Sequence, residues 1–416
     1  MRAAVSACLA RNPGLTRLGV AVSGGGDSVA LLVALAGLPG VVVEAATVDH
    51  GLRDGARAEA DAVAGLCARL GVVHRRLDWR RDGDAGNLQA AARRAHRVLI
   101  AGWARERGLQ AVLLGHTLDD QAETVLMRLA RGSGVDGLSG MAEATEGEGM
   151  LWLRPFLSTP RAALREFLHV QDVGWAEDPS NLDPRFQRVR ARQALAALVP
   201  LGIDAAGLAA TAGRMRRARM ALEAQTGAAL EALARDDRGT VVVARAALSL
   251  LPEIRDRLFA RLVMGLSGAG HPPRLAGLQR WIAQGGSFMG CLLCEEGASL
   301  RLMREFQAVS GVSAPAGALW DGRWRASGPA DTPGGDAQVQ LRALGPEGLR
   351  RLSRQARAGL HPHWRDSGLP EAALRAAPGV WRGAELIAAP LALWPNGWQL
   401  SAQSVVTLAS DAPLSH

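Results

Sequence analysis

From residue 18 to residue 130 the chain alternates between two kinds of apolar pattern. Residues 18–22, 41–49, 72–79 and 111–114 are short apolar runs that read as strands. Between them, 29–38 is apolar, alanine-rich and free of proline, which suits a helix packed on a sheet. Residues 56–70, 87–107 and 118–130 read as further helices. Strands alternating with helices predict a parallel sheet with helices on both faces. Beyond residue 202 the character changes. Alanine-rich helices at 205–233 and 246–266 flank a strand at 240–244, and 328–335 is a glycine- and proline-rich linker. After 317, the runs 386–388 and 391–393 suggest strands of a small module. The expected fold class is α/β: a doubly wound parallel sheet, then a mostly helical middle domain, then a small α+β C-terminal domain. The expected boundaries are 1–202, 203–312 and 317–416.

The first strand runs into Ser23-Gly24-Gly25-Gly26-Asp27-Ser28 and then into a helix. Glycines at a strand-to-helix turn aim loop amides and a helix N-terminus at one point, which is an anion site. A Cβ would block both the turn and a close phosphate. Ser23 and Ser28 add hydroxyl donors. Asp27 is an acceptor beside that site, which makes sense if it holds a divalent cation. No Gly-Lys-Ser/Thr follows, and this loop does not have the Gly-x-Gly-x-x-Gly spacing.

Gly115-His116-Thr117-Leu118-Asp119-Asp120-Gln121-Ala122-Glu123-Thr124 also follows a strand and enters a helix. Helical spacing puts Asp120 and Glu123 on one face of the first turns. Two carboxylates there suit a metal ion or a substrate ammonium. The plainer reading is helix capping, with Asp119 or Asp120 as N-cap and Glu123 completing a capping box. In a doubly wound sheet both stretches lie at carboxyl ends of strands, where ligands bind.

Charge sharpens this picture. Among 416 residues there are 48 basic and 40 acidic side chains, a formal net charge of +8, and the balance suits a polyanionic partner. The chain contains no lysine and no tyrosine. Lysine bases and Schiff-base chemistry are therefore excluded, and phosphate contacts must come from arginine, amides or metal. Cys291-Leu-Leu-Cys294 has a metal-like spacing, but no second pair completes a site, so buried structural cysteines are the simpler expectation. No apolar run reaches transmembrane length, and residues 1–17 lack a long apolar core with a cleavage site. A cytoplasmic protein without a membrane partner is expected.

The loop of residues 23–28 resembles that of the ATP pyrophosphatases, which split ATP into AMP and pyrophosphate. The ordered set narrows the resemblance. SGGGDS, VDHGLR (48–53), GNLQAAAR (86–93), GHTLDDQAET (115–124) and RGSGVDGLSGM (131–141) are similar, in order and spacing, to the catalytic domain of the tRNA(Ile)-lysidine synthetase family. WAEDPSN (175–181), followed by Arg185, Arg188, Arg190 and Arg192, extends the likeness. Two positions depart from the family pattern. His96 and Arg97 stand where arginine and tyrosine are usual, and Val189 stands where asparagine is usual.

This resemblance implies that ATP and Mg²⁺ are used to join free L-lysine to the wobble cytidine of tRNA(Ile) with anticodon CAU. It implies ATP contacts from Ser23, Gly24, Gly25, Gly26, Asp27, Ser28, His50 and His116, with Asp27 also on the metal. It further implies substrate contacts from Arg93, Asp120, Glu123, Asp178 and Arg188. Asp27, Asp120 and Glu123 are the expected catalytic residues, and a homodimer is a further expectation. Two other readings remain open. A tRNA base thiolase would need a sulfur carrier or paired cysteines near the ATP site. A tRNA-binding protein without catalysis would not cleave ATP.

Overall fold

A computed structural model of the chain describes residues 1–49, 56–79, 88–177, 183–329 and 339–411. It divides into two compact units, Met1–Arg219 and Met220–His416.

The strands of the first unit are β1 (Arg17–Ala21), β2 (Val42–Asp49), β3 (Val73–Asp78), β4 (Ala111–Leu113), β5 (Ala144–Gly147) and β6 (Met150–Leu153). They form one sheet of order β3-β2-β1-β4-β6-β5. All are parallel except β5, which pairs antiparallel with β6 at the edge. The helices are α1 (Arg2–Ala10), α2 (Gly26–Ala36), α3 (Ala56–Leu70), α4 (Leu88–Glu106), α5 (Leu118–Leu129), α6 (Val135–Leu138), α7 (Arg161–Val170), α8 (Gln187–Leu198) and α9 (Ala205–Leu233). The division between the units falls inside α9, after the boundary expected at 202.

Alternation along β1 sorts its side chains between two cores. Leu18, Val20 and Val22 pack with α1, α2, α3 and α7. Ala21 faces the other way, into a cluster with Ile100, Trp103 and Ala104 of α4. Gly19 shares that second face, where a Cβ would stand 3.0 Å from the Trp103 ring. The absent side chain is the space that the indole fills. Burying such a ring contributes about 2–3 kcal/mol or more.

In the sheet order, β1 lies between β2 and β4, so the chain reverses its direction of travel there. The carboxyl ends of β1 and β4 form the crevice of a topological switch point. The glycine loop leaves one and His116 leaves the other. The β5–β6 hairpin was not expected from the sequence. Its run Leu151-Trp152-Leu153 supplies the parallel neighbour of β4.

In the second unit, β7 (Ala234–Asp237), β8 (Thr240–Ala244), β9 (Gly286–Phe288), β10 (Cys291–Glu296) and β11 (Ser299–Arg304) make an antiparallel sheet, β7-β8-β11-β10-β9. This sheet accompanies the helices expected in the middle region. The helix expected at 246–266 begins only at Pro252. The stretch before it is a 3-10 turn, Arg245–Ser249, and α10 (Pro252–Ser267) starts with proline in its first turn, where the missing N–H costs little. After α11 (Leu275–Gln284), the remaining elements are α12 (Phe306–Val309), β12 (Ser313–Pro315), β13 (Trp324–Ser327), β14 (Val339–Ala343), α13 (Gly345–Arg357), α14 (Glu371–Ala376), β15 (Pro378–Arg382), β16 (Glu385–Ala388), β17 (Gln399–Ala402) and α15 (Val405–Asp411). Residues 391–393 are not a strand: Pro390 opens a 3-10 turn there. The last helix, α15, packs on α10, where a Cβ on Gly265 would stand 2.9 Å from the Val405 carbonyl oxygen. The middle region and the C-terminal module therefore share one compact unit.

Cys291 is buried and Cys294 exposed on opposite faces of β10, and both thiols are free. Among the described residues no single helix is long and apolar enough to cross a membrane.

Candidate active site

The glycine loop is organised by its own serines. Ser28 Oγ accepts from the Ser23 N–H at 3.1 Å and donates to the Gly25 carbonyl at 2.9 Å. Ser28 therefore braces the turn, while Ser23 stays exposed at its rim. Gly24 takes φ +89, a conformation that glycine adopts without strain. Gly25 is the N-cap of α2, and no side chain caps that end. An uncapped helix start with glycine on both sides is an anion cradle. The chain returns over this loop at Trp175 and Ala176. Ala176 N–H donates to the Gly24 carbonyl at 3.0 Å, and a Cβ on Gly26 would stand 3.3 Å from the Trp175 ring.

The second loop presses against the first. A Cβ on Gly115 would stand 2.8 Å from the Asp27 carbonyl oxygen. Glycine at 115 is what lets the β1 and β4 loops meet. Next to it, burial pushes the His116 pKa down to about 4, against the opposing charge of Asp120. The imidazole is neutral near pH 7, and its Nδ1 is buried without a hydrogen-bond partner.

Helix α5 is capped by Thr117, and Asp120 completes the capping box. The N-cap is thus Thr117, not Asp119 or Asp120 as expected, and the two oxygens of Asp120 divide between the cap and Arg161. Oδ2 accepts from the Thr117 N–H at 2.9 Å and its hydroxyl at 2.7 Å, while Oδ1 accepts from Arg161 at 3.1 Å. Glu123 takes no part in the cap. Its side chain is 1% exposed, with Oε1 accepting from Arg192 at 2.8 Å and Oε2 without a partner.

Arg161 joins these acids to the glycine loop. Its Nε donates to Asp27 Oδ2 at 2.9 Å, and its Nη1 lies 3.7 Å from Glu123 Oε1. Burial pushes Asp27 and Glu123 above the usual carboxylate range, despite Arg161 and Arg192 respectively. Asp120 is also buried, but Arg161 and the Thr117 N–H outweigh that, and its pKa falls. Burial likewise opposes the charge on Arg161, and Asp120 and Asp27 more than restore it.

The structure thus brings together Ser23, Gly24, Gly25, Gly26, Asp27, Ser28, His116, Asp120 and Glu123. Arg188 joins them, its Nη1 3.8 Å from Asp120 Oδ1. Arg185 and Arg190 turn away, to Asp183 and the Pro184 carbonyl. Val189 is buried on α8 between the two inward-facing arginines. Arg97 pairs with Glu148 and lies over Trp152. His50, Asp178 and the side chain of Arg93 lie outside the described residues. Arg161 was missed as a site residue. The available signal was a cation in the first turn of a helix, where the dipole disfavours it unless acids face it.

The fit to a divalent cation can be judged from the donors. Among the described residues no three acidic, histidine or cysteine side chains are grouped to hold a metal by themselves. Asp27, part-buried beside the phosphate cradle, suits an ion that takes its other ligands from phosphate oxygens and water.

A PP-loop domain family model matches residues 3–199. A tRNA(Ile)-lysidine synthase of Ruegeria pomeroyi is 46% identical over 93% of this chain and 91% of its own. A tRNA(Ile)-lysidine synthase of Methylobacterium nodulans is 44% identical over 69% of this chain and 89% of its own. Among solved structures, the U34-tRNA thiolase NcsA of Methanococcus maripaludis has a TM-score of 0.44 at 17% identity, covering 52% of this chain and 77% of that one.

Proposed function

The chain belongs to the tRNA(Ile)-lysidine synthase family, and from that membership we propose that it uses ATP to ligate free lysine to C2 of the wobble cytidine of tRNA(Ile) with anticodon CAU. The observation that carries this reading is the pairing of a phosphate cradle with the Asp27, Asp120 and Glu123 cluster across one switch-point crevice.

The reaction has two steps. The O2 oxygen of cytidine attacks the α-phosphorus of ATP, the bond to the β-phosphate breaks, and pyrophosphate leaves. The lysine ε-amine then forms a bond to C2, and AMP departs with the oxygen. The residues divide the work accordingly. Loop amides from Gly24 to Gly26, with the hydroxyl of Ser23, bind the pyrophosphate end, and Ser28 keeps the loop in shape. Neutral His116 accompanies the nucleotide as a hydrogen-bonding group without charge. Asp27 would hold Mg²⁺, which would neutralise charge on the leaving pyrophosphate. Asp120 and Glu123 receive the ε-ammonium, and Glu123, with its raised pKa and free Oε2, takes its proton. His50, Arg93 and Asp178 remain part of this proposal from the sequence.

RNA contacts extend into the second unit. A hollow of about 650 Å³ there is lined by Arg351, Arg354, Arg382, Trp394 and Trp398 among others. Guanidiniums beside indoles suit phosphate and base together. A cytoplasmic setting, where ATP, tRNA and lysine meet, belongs to the same proposal.

The test is transfer of labelled lysine into an unmodified tRNA(Ile) transcript with anticodon CAU, with ATP and Mg²⁺, beside a transcript whose wobble cytidine is changed. Label in the first only is the expected result. Pyrophosphate release without label would point to another nucleophile, as in a thiolase. Neither product would leave a tRNA-binding protein.

A further inference from the structure

Arg161 touches each carboxylate that the proposed reaction assigns to cations. It donates to Asp27 at 2.9 Å and to Asp120 at 3.1 Å, and lies 3.7 Å from Glu123. Its place is fixed from behind, because its backbone N–H donates to Asp119 Oδ2 at 2.7 Å. Its side chain is only 18% exposed. A guanidinium enclosed by three acids occupies the volume that an incoming ammonium would need.

Charge pairing leads to the same place. The acids of the cluster are Asp27, Asp120 and Glu123, and the cations paired with them are Arg161, Arg188 and Arg192. Each of these three carboxylates already holds a guanidinium, and Asp119, against the Arg161 backbone, is a further acid beside them. An ammonium entering alone would have to displace a paired guanidinium and pay the cost of losing its water. Polyphosphate arriving at the adjacent glycine loop changes the balance. It brings negative charge within reach of Arg161, and a guanidinium pairs with phosphate oxygens in two-pronged fashion.

We propose that Arg161 is a resident stand-in for the substrate ammonium, and that nucleotide phosphates draw it away so that lysine binds only after ATP. Arg161 is a positioning residue in this scheme and enforces binding order. The proposal rests on the reading of Asp120 and Glu123 as the lysine site.

The experiment is calorimetry of free lysine with the full chain, with and without a non-hydrolysable ATP analogue and Mg²⁺. The wild type is expected to bind lysine at least about tenfold more tightly with the analogue. Arg161→Gln is expected to bind lysine without the analogue, within about threefold of its affinity with it. Arg161→Lys keeps the charge and should keep most of the nucleotide dependence. Equal wild-type affinity in both conditions overturns the proposal, and that arm needs no variant to fold. A nucleotide dependence in folded Arg161→Gln as large as in the wild type also overturns it. If lysine binds in neither condition while the analogue binds, the lysine reading of the site falls, and this proposal with it.

Discussion

Gln121 holds Met141 with both ends of its amide. Its Oε1 accepts from the Met141 N–H at 2.7 Å, and its Nε2 donates to the Met141 carbonyl at 2.9 Å. The glycine-rich loop ending there makes backbone bonds around α6, from Leu138, Ser139 and Gly140 to Gly134, Val135 and Gly137, and side chains also donate to its carbonyls. Arg128 serves the carbonyls of Gly137 and Gly140, and Arg216 those of Ser139 and Met141. Gln121 is the next residue after Asp120, so the loop is fastened to the helix that carries the site acids.

Replacing Gln121 with leucine keeps the volume and removes both bonds. The Met141 N–H loses its partner, while the Met141 carbonyl keeps Arg216, at a cost of about 1–3 kcal/mol. Urea denaturation should report that loss. Trypsin cleavage after the exposed Arg131 should quicken by about tenfold, because local opening of the loop becomes easier. An unchanged cleavage rate would show that the amide clasp does not restrain the loop.

Gly115→Ala tests whether the two loops must touch. The new Cβ meets the Asp27 carbonyl and the Ser28 amide nitrogen, at 2.8 and 3.0 Å, and backbone atoms yield less readily than side chains. The expected outcome is a stability loss of about 1–3 kcal/mol and at least tenfold slower pyrophosphate release, since Asp27 shifts with its backbone. Gly102→Ala, on α4 with open space around it, is the control and should be neutral or stabilising by up to about 1 kcal/mol. Equal behaviour of the two variants would refute the close-approach argument.

Much of the first unit was readable because its signals are local. Apolar runs and glycines mark the strands and loops, and a parallel βαβ order fixes which strand ends converge. Arg161 was not readable in the same way. It lies 134 residues from Asp27, and only the docking of α7 brings them together. Strand β6 was missed although it is longer than β4, and the pairing of the two joins segments remote in sequence. The arginines of α8 are an intermediate case. Arg188 and Arg192 share a face at a spacing of four, which separates them from Arg190, but the acids they meet are set by tertiary packing. Local proline chemistry was legible and was overridden in the reading at 246–266 and 391–393, where Pro252 and Pro390 start new turns.

Glu123→Gln separates the two chemical steps. Glutamine preserves shape and can still accept from Arg192, but it cannot take a proton from the amine. Lysine transfer should fall by about 100-fold or more. Pyrophosphate release dependent on tRNA should stay within about threefold, because Glu123 has no part in the glycine loop. Equal loss in both assays would move Glu123 from the lysine step to the ATP step.

His116 supplies a prediction about acid stability with a defined sign. Its pKa falls from an ordinary 6.5 to about 4 in the folded chain, because burial disfavours the imidazolium. Above pH 6.5 neither state binds the proton, and the residue imposes no penalty. As pH falls below that value, the unfolded chain takes up a proton that the folded chain refuses, and stability is lost until about pH 4. Between pH 7.5 and pH 5 this amounts to about 2 kcal/mol. His116→Asn removes the titration while leaving every other group in place. Urea denaturation at the two pH values should therefore show the wild type losing about 2 kcal/mol more than the variant. Equal losses would mean that the imidazole is hydrated and ordinary in the folded protein. In that case its contact with nucleotide would be made by a group that charges near neutrality, and binding of the ATP analogue would tighten as pH falls from 7.5 to 6 instead of staying level.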